Sequence, residues 1–359
     1  MRLSRPLRLS CEALEDRMVM SYGGASAVAQ LHAVTAHAVK TTTPPPGPFI
    51  GPVGTLGDSY TDEYRFYSPD RSHAHNWVEI LHNTRGVAFG HFTTQSRSEP
   101  RDQGFAYNWA RSDAISNDMI ANQLPGLTAQ VAQGKVKYAW IFIGGNDYLH
   151  LLAAAQAGAI PPANLPAAVQ STTAQLETNF LTAVNTLLAA NPNVKLAVST
   201  LPDISTTPAA QQAAQGNPLA AALLHGISLA TANYNALIST IANSNPRIVE
   251  VDLAGTTAQI AAANPSGTAT FGGQKIDPIT PGDDYHHFIL ADNIHVGTVG
   301  QGIISELFAQ AIDQKFGAQL FPPPPKKSSA SPPVSSTTRT NSPDLPLRLK
   351  TQTTQTPGP

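Results

Sequence analysis

The chain has 359 residues, 42% of them hydrophobic, and its charged residues, at 13%, are about half the usual share. A net charge of -2 excludes a basic footprint for nucleic acid, and no apolar run approaches the roughly 18 residues of a membrane span. The single cysteine, Cys11, rules out a disulfide framework and a zinc–cysteine site.

Residues 1–22 read as a leader or targeting segment. Arg2, Arg5 and Arg8 are followed by Glu12, Glu15 and Asp16, which interrupt the apolar stretch an ordinary secretory signal needs. Residues 23–48 are rich in Ala, Thr and Pro and predict a linker, because they offer too little apolar surface to offset ordering entropy. Residues 49–321 predict one folded domain. Residues 322–359 begin with four prolines and Lys326-Lys327, continue in Ser, Thr and Pro, and predict a disordered tail.

Within the domain, short apolar runs at 52–56, 105–109, 138–143, 194–199 and 247–252 predict strands. The run at 138–143 is aromatic and β-branched and stops at Gly144-Gly145, as a buried parallel strand should. Between the strands lie helical stripes. Leu176, Phe180, Val184 and Leu188 form one, ending before Pro192; Tyr234, Leu237, Ile238 and Ile241 form a second. Ile304, Leu307, Phe308, Ala311 and Ile312 form the third. Residues 153–166, rich in Ala and Pro, read as a substrate-facing loop or a connector. The alternation predicts an α/β fold, a flavodoxin-like three-layer α/β/α sandwich with a five-stranded parallel sheet.

Ligands of open parallel sheets bind beyond the carboxyl ends of the strands. The first run ends Gly57-Asp58-Ser59-Tyr60-Thr61-Asp62. A serine starting a helix there can attack a carbonyl and offer its own N–H to the oxyanion, although the triplet is also a common turn and helix cap. The third run ends Gly144-Gly145-Asn146-Asp147, where the Asn146 amide is either an oxyanion donor or a turn cap. Near the end come Asp292 and His295, spaced so that the acid can fix the imidazole's tautomer, just ahead of a helix from about residue 298. Asp283, Asp284, His286 and His287 crowd together but show no metal-ligand spacing, so no metal is assigned. His73 and His75 read as surface or pocket-rim residues.

Together, Gly57-Asp58-Ser59, Gly144-Gly145-Asn146-Asp147 and Asp292-x-x-His295 resemble blocks I, III and V of the SGNH/GDSL hydrolases. The resemblance implies a serine esterase with Ser59 as nucleophile, His295 as base and Asp292 as its orienting acid. Ser59, Asn146 and a third residue would form the oxyanion hole, with Gly57, Asp58, Gly144 and Asp147 in support. It implies an acyl-enzyme route with no metal or organic cofactor. Asp62 also matches an acid of block I, and Leu201-Pro202-Asp203 a loop that lines the site. The Gly-x-Ser-x-Gly elbow of α/β-hydrolases is absent.

Block II departs from the family pattern Asn-x-Ala-x-x-Gly-Ala. Here it reads Asn108-Trp109-Ala110-Arg111-Ser112-Asp113-Ala114, with Asp113 in the glycine's place. Its N–H still completes the oxyanion hole if its backbone allows, while its carboxylate opposes developing negative charge unless it turns away to pair with Arg111 or cap the next helix. This departure keeps a second class open, a non-catalytic cell-surface binding module on the same scaffold. The segment Leu9-Ser10-Cys11-Glu12-Ala13-Leu14-Glu15-Asp16-Arg17-Met18 resembles the LE-x-R signature on surface and secreted proteins of planctomycete bacteria, which implies a secreted or cell-surface location and surface contact through the termini; the other reading is a short basic–acidic helix with no addressing role. The expected partner is a small-molecule or polysaccharide ester, and acetylated polysaccharide, short-chain ester, lipid and thioester all suit such a site.

Overall fold

In the computed structural model, which describes residues 52–67, 71–94, 103–206, 210, 214–262, 269–271, 274–276, 287, 290, 295–318 and 320, buried apolar runs form a parallel sheet. The strands in chain order are β1 (Val53–Gly57), a short antiparallel pair β2 (Phe92–Thr93) and β3 (Gly104–Phe105), β4 (Tyr138–Phe142), β5 (Lys195–Ser199) and β6 (Ile248–Val251). A second antiparallel pair, β7 (Ala269–Phe271) and β8 (Gln274–Ile276), follows. The main sheet runs β1-β4-β5-β6, every pairing parallel.

The helices are α1 (Trp77–Arg85), α2 (Leu124–Ala132), α3 (Gly145–Gln156), α4 (Leu165–Ala190), α5 (Pro218–Ser244), α6 (Leu253–Ala262) and α7 (Thr298–Phe316). They cover both faces of the sheet and give the three-layer sandwich that the alternation predicts. On one face α1 meets α7, where Trp140 and Phe308 stack with ring centres 4.6 Å apart and Trp77 packs against both at a tilt. On the other, α4 lies between α2 and α5, and Phe180 meets Tyr234 edge to face. The stripe residues Leu176, Phe180, Val184, Tyr234, Ile238, Ile304, Phe308 and Ile312 are all buried.

The sheet has four strands among the described residues, not five. The run expected at 105–109 is divided. Phe105 pairs with Phe92 in the short ribbon, and Asn108 makes a single parallel bridge to Thr55. Thr55 N–H to Tyr107 O (2.9 Å), Trp109 N–H to Thr55 O (3.0 Å) and Arg111 N–H to Gly57 O (3.1 Å) carry that contact along β1. The Asn108 side chain is the cause. Its Oδ1 accepts from Thr55 Oγ1 and from Ala110 N–H (3.2 Å), a local turn that competes with a regular ladder. Residues 153–166 are in part a connector: α3 continues to Gln156, residues 157–161 link it to a short helical turn, Pro162–Asn164, and that turn leads into α4.

All described residues fall within the first of two units, 1–322. The expected leader, linker and tail, Cys11 and the Leu14–Arg17 motif lie outside the described residues, and so do the domain limits at 49 and 321. No helix among the described residues is long and apolar enough to cross a membrane.

Candidate active site

The register of the sheet builds the site. Gly57, the last residue of β1, pairs with Phe142, the last of β4. Ser59 and Gly144, each two residues farther on, therefore emerge at the same carboxyl edge. Gly57 must be glycine because a Cβ there would sit 2.6 Å from the Phe142 carbonyl oxygen. Its peptide is clamped by Gln123, which donates to the Gly57 carbonyl and accepts from its N–H, both at 2.9 Å.

Ser59 is buried. It does not begin a regular helix, as expected, but sits in an isolated turn in which Asp58 O accepts from Thr61 and Asp62 N–H, both at 3.0 Å. The helix does not continue because its next carbonyls are taken. Asn76 Nδ2 donates to Thr61 O (3.0 Å) and Asp62 O (2.8 Å), Asn108 Nδ2 donates to Thr61 O (2.9 Å), and Glu63 is extended. Asn76 caps α1 at the same time, in a reciprocal box with Glu79. The Asp58 carboxylate accepts from Tyr60 N–H at 3.1 Å, so it shapes the turn.

Block II is fastened to this turn. Asp62, fully buried, accepts from Ser112 N–H (2.9 Å) and from the Tyr67 hydroxyl. Asp113 then has φ +65°, the one non-glycine residue with positive φ among the described residues. The backbone thus keeps the left-handed bend that favours glycine, and aspartate is among the few side chains that tolerate it. Its carboxylate is half-exposed and accepts from His150 Nε2 at 3.2 Å. It neither pairs with Arg111 nor caps the next turn. That cap comes from Asp118, whose carboxylate accepts from Ile115 N–H at 3.2 Å.

Gly144, at φ +126°, turns the chain from β4 into α3. Asn146 is buried, and its Nδ2 donates to Ala114 O (3.2 Å), directly after Asp113. Asp147 accepts from Ser116 N–H (3.0 Å) and Oγ (2.6 Å), tying the α3 N-terminus to the segment just after block II. Burial pushes the Asp147 carboxyl up, against those two hydrogen bonds. Leu201 packs on the same Gly144-Gly145 corner, while Asp203 holds its own loop by accepting from Ser205 N–H and Ser228 Oγ.

His295 is buried between the rings of Tyr60 and Tyr64, with centroids at 5.9 and 5.8 Å. Since Tyr60 adjoins Ser59, the imidazole lies against the Ser59 turn. Its carbonyl accepts from Leu290 N–H (2.9 Å), and the next carbonyl, of Val296, accepts from Tyr64 OH (3.2 Å). Gln301 of α7 donates to that hydroxyl (2.7 Å) and accepts from Trp77 N–H (3.0 Å). Asp292 lies outside the described residues, as do Asp283, Asp284 and His286. The described residues hold no group of three or more potential metal ligands. His75 is half-exposed at the α1 N-terminus, where its N–H donates to Thr298 Oγ1 at 3.2 Å.

Sequence reading missed Arg71. It is buried, lies over the Tyr67 ring at 4.0 Å, and donates from Nη2 to Ser112 Oγ (3.1 Å). Its Nη1 is 3.1 Å from His295 Nε2. A guanidinium has no acceptor, so Nε2 is the acceptor here and the imidazole proton rests on Nδ1. No local motif marks Arg71, because His295 and Ser112 come from distant segments. Glu63, also missed, is fully buried beneath this layer and accepts from Phe105 N–H at 2.7 Å; burial raises its pKa to about 7.

A family model described as GDSL-like lipase/acylhydrolase matches residues 53–308. The chain belongs to the GDSL-like lipase/acylhydrolase family. Membership of the GDSL family supports ester hydrolysis as the general activity. No curated protein matches the chain significantly. Similar solved structures include an extracellular lipase from Streptomyces rimosus, 16% identical, covering 73% of this chain and 100% of that one with a TM-score of 0.42. The lipase Lip_vut3 from a goat rumen metagenome is 14% identical, with coverage of 73% and 97% and a TM-score of 0.43. A family 3 carbohydrate esterase from Clostridium thermocellum is 15% identical, with coverage of 75% and 98% and a TM-score of 0.39.

Proposed function

We propose that this GDSL protein is a serine esterase that hydrolyses carboxylic esters through an acyl-enzyme. Ser59 Oγ attacks the carbonyl while His295 Nε2 takes its proton. Asp292 holds Nδ1–H and stabilises the imidazolium. The oxyanion is held by the Ser59 and Asp113 N–H groups and by the second Nδ2 hydrogen of Asn146, the first being given to Ala114. The imidazolium then protonates the departing alcohol, and water activated by the same histidine releases the acid. No step calls on a metal or cofactor.

The observation that carries this reading is the left-handed backbone of Asp113. Asp113 keeps the left-handed backbone that the family's glycine would take, and in the family pattern it is the glycine position that supplies an oxyanion amide. One observation favours the rival class, a non-catalytic binding module: Arg71 engages the nitrogen that the mechanism needs as base. A fluorophosphonate probe with peptide mapping separates the two. Labelling of Ser59, lost in His295→Ala, is the expected result, and folded protein that stays unlabelled at Ser59 would overturn the esterase reading.

A further inference from the structure

We propose that this protein carries a second binding site, for an acidic sugar unit, at the edge of the sheet opposite the Ser59 turn. The site is a cavity of about 350 Å³ where β4 and β5 begin. That volume falls among pockets that hold small molecules, about 300–1,000 Å³. Its walls come from the turn before β4, the turn between α4 and β5, and the first residues of both strands. Val136 and Val194, both buried, give it an apolar lining. Tyr138 is half-buried and adds an aromatic ring, whose hydroxyl has no hydrogen-bond partner among the described residues.

The charges single out the ligand. Lys137 and Lys195 line the cavity, and no acid among the described residues does. Neither ammonium has an ion pair or hydrogen bond among the described residues. Lys195 Nζ lies over the rings of Tyr138 (5.5 Å) and Phe316 (4.9 Å), which orient it and leave its charge in place. The carbonyls at the end of α4 would repel an anion here. Arg247 compensates them, its Nη1 donating to Leu188 O (3.1 Å), Asn191 O (3.2 Å) and Pro192 O (3.3 Å). Asn191 is fixed, its Nδ2 donating to Val131 O (3.2 Å) and its Oδ1 accepting from Asn193 N–H (2.9 Å). The Asn193 side chain is exposed and makes no bond among the described residues. Asp313 of α7 acts on the Tyr138 hydroxyl, which burial first and that charge second push up, and its carboxylate accepts from Leu320 N–H (2.7 Å).

An ammonium is a point-charge partner for a carboxylate or a sulfate. An apolar lining beside a ring suits the C–H face of a pyranose, and an amide offers a donor and an acceptor to neighbouring hydroxyls. An acidic sugar brings all three. A plain anion would leave the ring and the valines unused, and a neutral sugar would leave both lysines without a counter-charge. Tyr138 and Phe142 bound β4, so the ligand sits roughly 13 Å from the Ser59 edge. It is therefore anchored rather than cleaved there, and the site is independent of the esterase reading.

The test titrates sodium glucuronate and glucose 6-sulfate into the full chain at low salt, followed by saturation-transfer NMR. At least one should bind with a Kd of about 1 mM or tighter, and the tighter of the two identifies the anion. Glucose and sodium acetate, each with half of the recognition, should bind at least about tenfold more weakly. Lys137→Gln and Lys195→Gln should each weaken the acidic sugar about fivefold, and Asn193→Ala a few-fold, with unchanged thermal midpoints. Absence of binding by both acidic sugars would overturn the proposal. So would glucose or acetate binding as tightly, or binding that survives Lys137→Gln and Lys195→Gln combined.

Discussion

The two sides of the site are held differently. The Ser59 side grows out of the sheet, and buried side-chain amides brace it: Gln123 on Gly57, Asn108 and Asn76 on Thr61 and Asp62, and Asn146 on Ala114. Asp62 and Asp147 add carboxylates, the first bonded to the block II backbone at Ser112 and the second to Ser116 just beyond it. On the His295 side the described contacts are of another kind. They are one backbone bond to Leu290, a relay through Tyr64 and Gln301, two ring contacts, and Arg71. The Ser59 side is thus braced by buried polar side chains bonded to backbone, whereas the described contacts of His295 come mostly from side chains of distant segments.

The sharpest way to probe the braced side is Asn146→Ala. Removing this proposed oxyanion donor should lower kcat by about a hundredfold to a thousandfold with little change in KM. Steady-state kinetics on para-nitrophenyl acetate checks this, and an effect confined to KM would remove Asn146 from the transition state.

Next in size is Glu63, which underlies both sides through its neighbour Tyr64. Its pKa of 4.5 when unfolded rises to about 7 in the fold because burial disfavours the charged form. The native state therefore holds the extra proton between those values. The stability from this group is complete below pH 4.5 and is lost as pH rises through 7, by up to roughly 3 kcal/mol. Urea denaturation across that window should show the decline, and Glu63→Gln should flatten it. An identical slope in the variant would assign the pH dependence elsewhere.

Asp147→Asn should cost about 1–3 kcal/mol, since the amide cannot accept from both Ser116 N–H and Ser116 Oγ. Its effect on kcat should follow the displacement of the adjoining Asn146, and thermal unfolding with kinetics on one sample checks both. The smallest effect belongs to Asp113. Its carboxylate is turned to His150, so Asp113→Gly should leave kcat within a few fold and stabilise the protein by about 0.5–1 kcal/mol by relieving the left-handed backbone. A tenfold gain in kcat, about 1.4 kcal/mol, would mean the carboxylate faces the oxyanion instead.

Much of this was legible in the chain. Hydrophobic period and strand-end glycines located the four strands of the sheet and the three long helices α4, α5 and α7, because burial of apolar faces is a local demand; α1, α2, α3 and α6 carried no stripe that sequence reading picked out. The Gly57-Asp58-Ser59 and Gly144–Asp147 segments fell at strand ends for the same reason. The regular second strand and the helix start at Ser59 were not borne out. In the second run Asn108 makes a local turn within its own segment, and at Ser59 Asn108 and Asn76 reach across from other segments to claim the Thr61 carbonyl that a helix needs.

The sequence by itself therefore determined the layer architecture, the family, and which residue types stand at the sheet's edge, since those follow from periodicity and short-range spacing. Only the tertiary structure decided what those residues do to one another. That Asp113 keeps a glycine's backbone, that its carboxylate turns outward to His150, and that Arg71 meets His295 across 224 positions depend on side chains brought together from distant segments. Such contacts are set by the packing of the whole domain, and no local pattern encodes them.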